Sequence, residues 1–160
     1  MENKVIRVAN QEIIFNEDEK LYIVSRDIII DYHGIRRKSN ELYNQIETLP
    51  IEKIDVGQQN RALIFTSQLE KIKAKQDRSC SYGLKHRVED YSRNVLKKSH
   101  ENNSVYCSNG SLIGAMVQSG FDLFLEEYPN SKDLSLNCCF NYSIKSYNKL
   151  IKKSHLNRSY

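Results

Sequence analysis

Residues 5–46 constrain the fold more than any other part of this chain. Short β-type runs there lead into Ser25-Arg26-Asp27-Ile28, a glycine corner at Gly34, and the basic Arg36-Arg37-Lys38. Residues 5–8, 12–15 and 21–24 are rich in β-branched or aromatic side chains and are separated by polar turns, so a three-stranded meander is the simplest expectation. Ser25 can cap a helix, Asp27 suits its positively polarised first turn, and Gly34 can stop it in the left-handed conformation. A second short helix follows from Ser39 or Asn40 as cap, with Leu42, Tyr43 and Ile46 along one side and Pro50 as terminator.

At 160 residues, 39% hydrophobic and 28% charged, the chain has the material for one real core and does not suit a disordered protein. The expected class is α+β: a small antiparallel β-hairpin or meander, then a mainly helical lobe. The expected division is a head at 1–56 and a basic helical lobe at 57–160, forming one compact unit. No window approaches the roughly 18 apolar residues of a membrane span, and Met1-Glu2-Asn3-Lys4 opens no apolar signal core, so no membrane partner is expected and a cytoplasmic location is. With no signal peptide, Cys80, Cys107, Cys138 and Cys139 are expected to be free and mostly buried thiols.

Later segments read mainly as helices. Ala62, Phe65, Leu69 and Ile72 recur at spacings of three and four, predicting a connecting helix over 57–76; Leu84, Val88, Tyr91 and Val95 do the same for a basic amphipathic helix over 79–98. Ser111 and Gly120 bracket a helix over 112–119. Residues 134–140 suit either a buried strand or a helix start, and Ile144, Tyr147 and Ile151 among lysines predict a basic helix from about Ser143.

Charge is segregated. Through Glu70 there are 12 acidic and 9 basic residues; beyond it there are 8 acidic and 15 basic, which together make the chain's 20 and 24. Such clustering creates a positive face able to attract phosphate or an acidic protein surface.

The segment Tyr22-Ile23-Val24-Ser25-Arg26-Asp27-Ile28, followed by Tyr32-His33-Gly34-Ile35, Leu42 and Ile46, resembles the amino-terminal heads of phage antirepressors and the related Bro-N and KilA-N domains. It departs from them at Ile29-Ile30, where a small residue is usual, and in lacking a second glycine after the corner. The resemblance implies a small phage-type regulatory protein. In it Arg36, Arg37 and Lys38 would open a recognition helix against phosphates, with Asn40, Asn44 and Gln45 within reach of base edges. The rest of the chain resembles small phage or mobile-element proteins without an assigned activity, through Ser81-Tyr82-Gly83-Leu84-Lys85-His86-Arg87 and Tyr106-Cys107-Ser108-Asn109-Gly110-Ser111.

From the residues themselves, Lys85, Arg87, Arg93, Lys97 and Lys98 lie around the helix expected over 79–98 and join Arg36, Arg37 and Lys38 as candidate nucleic-acid contacts. Ser108, Asn109, Gly110 and Ser111 place amides and hydroxyls at a helix start, which reads either as an anion seat or as an ordinary cap and turn. No C-x-x-C or H-x-x-x-H spacing marks a metal site, and no glycine-rich phosphate loop is present. Glu89-Asp90 and Glu126-Glu127 read as solvated charge. The expectation is therefore binding without catalysis and without metal or cofactor. The partner is DNA, RNA or, alternatively, an acidic surface on a host protein that the chain would inhibit.

Overall fold

In a computed structural model describing residues 2–40, 45–52, 57–96, 105–129, 131 and 133–158, the chain is α+β, with two antiparallel four-stranded sheets and four α-helices among those residues. Strand β1 (Lys4–Val8) does not join the meander expected of it. It pairs antiparallel with β7 (Leu123–Glu127), Ile6 opposite Leu125; β7 pairs with β8 (Leu134–Tyr142), whose far side takes β6 (Lys71–Gln76). A 3-10 turn over Asn10–Glu12 then leads into the second sheet, β2 (Ile14–Asn16), β3 (Leu21–Ile23), β4 (Ile28–Asp31) and β5 (Gly34–Arg37), paired in chain order. The first strand of the expected head thus belongs to a sheet otherwise built from residues 71–142, and both sheets feed one hydrophobic core.

The helix expected over 25–34 is instead the β4–β5 hairpin. Ile28, Ile29 and Ile30 are β-branched in succession and all buried, so both faces of β4 are covered; this favours the pleated chain over a helix that would restrict each χ1. The two-residue turn Tyr32-His33 is closed by the Asp31 carboxylate, whose Oδ1 accepts the His33 amide at 2.9 Å, and Gly34 leaves it at φ +123°. Of the second expected helix, residues 41–44 lie outside the described residues, and 45–52 contain turns and no helix.

The connecting helix is shorter than its stripe suggests. Helix α1 (Gln58–Thr66) buries Ala62 and Phe65, and Leu69 is buried just beyond it, but Ile72 falls in β6, an edge strand whose Lys71, Lys73 and Lys75 alternate along one side. Helix α2 (Ser81–Asn94) buries Leu84, Val88 and Tyr91 as expected. Helix α3 (Asn109–Gln118) is buried from Gly110 through Val117. Apolar on all sides, it fits only between layers, and it packs against α1, α2, β4, β5 and β8. Ser108, not Ser111, is its cap, and Gly120 at φ +92° follows its end. Residues 134–140 take the strand alternative, and α4 (Ile144–Leu156) starts at Ser143, whose hydroxyl accepts the Ser146 amide.

The cysteines divide unexpectedly. Cys107 and Cys138 are free and buried, but Cys80, at the start of α2, and Cys139, on β8, form a disulfide across 59 residues with Cα atoms 4.3 Å apart. The expectation of four free thiols is corrected: strand pairing and helix packing bring together two half-buried cysteines that no sequence spacing connects. Among the described residues no helix is long and apolar enough to cross a membrane.

Candidate nucleic-acid interface

Of the basic side chains singled out by sequence, Arg36 and Lys85 are buried and Arg37 is largely so. Arg36 lies on β5 at 3% exposure, and its Nη1 donates to Asp31 Oδ2 at 3.0 Å and to the Glu47 carbonyl at 3.1 Å. Asp31, fully buried, also accepts the amides of His33 and Leu49. This is a satisfied ion pair that fastens residues 46–49 to the hairpin, and its burial removes Arg36 from any helix start or phosphate. Arg37 bridges the two sheets through Glu127, its Nη1 2.7 Å from Oε2, so Glu127 is not merely solvated. Asn40 is buried against β8, its amide oriented to donate to Asp133 Oδ1 and accept from Leu134 N at 3.2 Å each. Lys38 is exposed, and Gln45 lies in an exposed turn; Asn44, Lys97 and Lys98 lie outside the described residues.

The second pair of motifs converges on one buried joint. Lys85, though off the apolar stripe, is 8% exposed: its ammonium donates to Glu89 Oε1 at 3.1 Å and to the Cys107 carbonyl at 3.0 Å, with the Tyr106 ring centroid 4.9 Å away. Glu89 Oε1 also accepts the Cys107 amide, so this carboxylate, too, is structural. The Tyr32 hydroxyl lies 3.1 Å from that of Tyr106, and burial, with that neighbour, pushes Tyr32 up to about 12. Around the rest of α2, Asp90 pairs with Arg93 at 3.0 Å and Arg87 at 3.8 Å, while His86 faces Glu89 at 3.2 Å.

The start of α3 is a cap. The Ser108 hydroxyl accepts the Ser111 amide at 3.0 Å, the Ser108 amide donates to Gln58 Oε1 at 2.7 Å, and the Gly110 amide donates to the Tyr32 carbonyl at 3.2 Å. Gly110 sits against the Asp31 carbonyl so closely that a Cβ would collide with it, and Asn109 donates to the carbonyls of His33 and Leu136. Of the two readings of Ser108-Asn109-Gly110-Ser111, this geometry is that of the cap and turn, because those amides are spent on the protein itself.

A cluster of lysines without an ion pair lies on α4. Tyr147, Leu150 and Ser154 are buried, whereas Lys145, Lys149, Lys152 and Lys153 are exposed. Residues 145, 149 and 152, at i, i+4 and i+7, share a face. None of the four lysines makes an ion pair among the described residues. From Leu134 to Tyr160 the chain carries five basic residues, these four and Arg158, and no Asp or Glu. That acid-free run is the signal that could have selected α4 over α2 from sequence. Like charges at i, i+4 cost a helix about 0.2–0.5 kcal/mol per pair, so the face is retained at some expense to the helix. A groove of about 730 Å³ runs between this face and the turn after α1, lined by the four lysines, Leu150 and Glu70, its one carboxylate.

Compared with protein-family models, with curated proteins and with solved structures, the chain matches none.

Proposed function

We propose that the protein binds nucleic acid through the lysine face of α4, in a regulatory role to which we assign no reaction. The observation that carries this reading is the cluster Lys145, Lys149, Lys152 and Lys153, exposed on one helix without a carboxylate between them and bordering an open groove. Ammonium groups so placed are matched to a phosphate backbone, which offers closely spaced negative charge and releases counterions on contact. Lys71, Lys73 and Lys75 on the edge strand β6 add further positive charge, although Lys71 and Lys75 are shared with Asp122 and Asp77. Arg36 and Lys85 do not belong to it, because their charges are spent in the core.

The test is fluorescence anisotropy of labelled duplex and single-stranded DNA and RNA across a salt series. Binding is expected at low salt, with log affinity falling against log salt by about 0.9 per duplex phosphate neutralised. A Lys145→Glu, Lys149→Glu, Lys152→Glu variant should bind at least about tenfold more weakly with a shallower slope. Absence of binding at low salt, or a charge-reversed variant that binds as tightly as the parent, would overturn the reading. In that event the same face, used against an acidic protein surface, becomes the reading to pursue.

A further inference from the structure

We propose that the Cys80–Cys139 disulfide is an exchangeable thiol-modification site, opened and re-formed by low-molecular-weight thiols and their disulfides, with Cys139 the sulfur attacked and Cys80 the sulfur that leaves. Position separates this pair from the other two cysteines. Along β8, Cys138 and Phe140 point into the core, whereas Cys139 points to the other side of the sheet, in the row of its cross-strand partner Phe124. There, with Cys80, it borders a shallow depression that Val5, Lys75, Phe124, Glu126, Ser135, Asn137 and Cys138 also line, although Cys138 as a whole is only 3% exposed. Both bonded cysteines are half-buried, while Cys107 is 1% and Cys138 3% exposed. Disulfides within reach of solvent are the labile ones; those sealed in a core are inert.

The two sulfurs are not equivalent. Cys80 is the N-cap of the fourteen-residue α2, where the partial positive charge of the helix start stabilises a thiolate; Cys139 sits mid-strand, away from any helix start. The sulfur better able to carry negative charge is the better leaving group. An incoming thiolate therefore bonds to Cys139 Sγ, the Sγ–Sγ bond breaks, and its electron pair departs on Cys80. Cys139 is left as a mixed disulfide and Cys80 as a thiolate. A second external thiolate attacks the external sulfur of that mixed disulfide, releasing Cys139 as thiolate. In net terms two thiols are oxidised to one small disulfide while the protein bond takes up two electrons and two protons. Run backwards, the Cys80 thiolate displaces the external thiol from Cys139 and restores the bond.

Neither of the remaining thiols enters the exchange. Cys138, next in sequence to Cys139, faces the opposite side of β8, and burial pushes its thiol far above the ordinary range; burial pushes Cys107 up to about 12. The disulfide is not the sole link between α2 and β8: the Ser81 hydroxyl donates to Asn137 Oδ1 at 3.4 Å and accepts the Cys138 amide at 3.1 Å.

The test is a time course of the full-length native protein in reduced glutathione at neutral pH, quenched with acid and mapped by peptide mass spectrometry. Glutathione is expected on Cys139 first, with Cys107 and Cys138 unmodified. A Cys80→Ser variant treated with oxidised glutathione should accumulate the adduct on Cys139. In a Cys139→Ser variant, iodoacetamide should alkylate Cys80 at least about tenfold faster than Cys107 or Cys138. Circular dichroism checks that the variants are folded, and the wild-type time course decides the matter without them. A bond that survives millimolar glutathione in the folded protein, adducts on Cys80 instead of Cys139, or four cysteines alkylated at one rate would each overturn the proposal.

Discussion

Helices α2 and α4 are both basic and amphipathic, yet they spend their cations in opposite ways. On α2, Lys85 is locked to Glu89 and the Cys107 carbonyl, Arg87 and Arg93 share Asp90, and His86 turns to Glu89. On α4, four lysines are exposed with no carboxylate of their own helix to meet them, although Lys153 Nζ lies 5.9 Å from the centroid of the Tyr91 ring. The difference shows that counting basic residues along a helix says little about binding until each charge has been assigned a partner. A cation with a partner holds the fold together. One without a partner is available to something else. The β4–β5 hairpin is the extreme of the first kind, since Arg36 is almost wholly buried against a fully buried Asp31.

Breaking the internal charges should therefore hurt stability, and breaking the external ones should not. The largest loss is expected from Arg36→Ala, which leaves Asp31 buried without its cation; breaking a buried pair costs about 3–5 kcal/mol, read as a lowered urea midpoint. Gly110→Ala comes next. It forces a methyl group against the Asp31 carbonyl and should cost about 1–3 kcal/mol by the same measurement, as overpacked sites do. A stable Gly110→Ala protein would show that the approach of α3 to the hairpin is looser than it looks.

Lys85→Ala should cost a comparable or smaller amount, about 1–3 kcal/mol, because it strips a donor from both Glu89 and the Cys107 carbonyl. Should Lys85→Ala leave stability untouched while abolishing nucleic-acid binding, the contrast between α2 and α4 would be reversed.

A pH titration sharpens the same comparison. Burial raises the pKa of Asp122, but Arg7, at 2.7 Å, the Asn10 amide and Lys71 together outweigh it and hold the carboxyl below the usual range. A depressed carboxylate contributes stability that is present above its unfolded-state pKa and is lost as pH falls through the folded one. Unfolding free energy should drop on the acid side, and Asp122→Asn should flatten that limb of the curve. The smallest effect on stability is expected on α4: exchanging Lys145, Lys149 and Lys152 for Glu should change it by no more than about 1 kcal/mol, while the binding described above falls.

Several elements were legible in the sequence because local chemistry suffices for them. The start of α4 near Ser143 and its apolar stripe, the Leu84-Val88-Tyr91 stripe of α2, the Gly120 stop and the α+β class all follow from propensity and spacing over a few residues. The positive bias beyond Glu70 is equally a property of the chain alone.

What tertiary structure decided is partnership. β1 leaves its neighbours for β7, more than a hundred residues away, pairing its backbone with that strand and setting Ile6 opposite Leu125 and Val8 opposite Leu123. Residues 28–31 become a strand despite a helix-like cap, because three consecutive isoleucines find cover on both faces. Arg36 and Lys85 look like surface cations in one dimension and become internal struts only when Asp31 and Glu89 are brought to them. Cys80 and Cys139 meet only once β8 and the start of α2 are packed together. Short-range rules set what each segment prefers, but the burial of charge and the pairing of strands depend on which surfaces the finished core leaves open, and only the folded chain determines that.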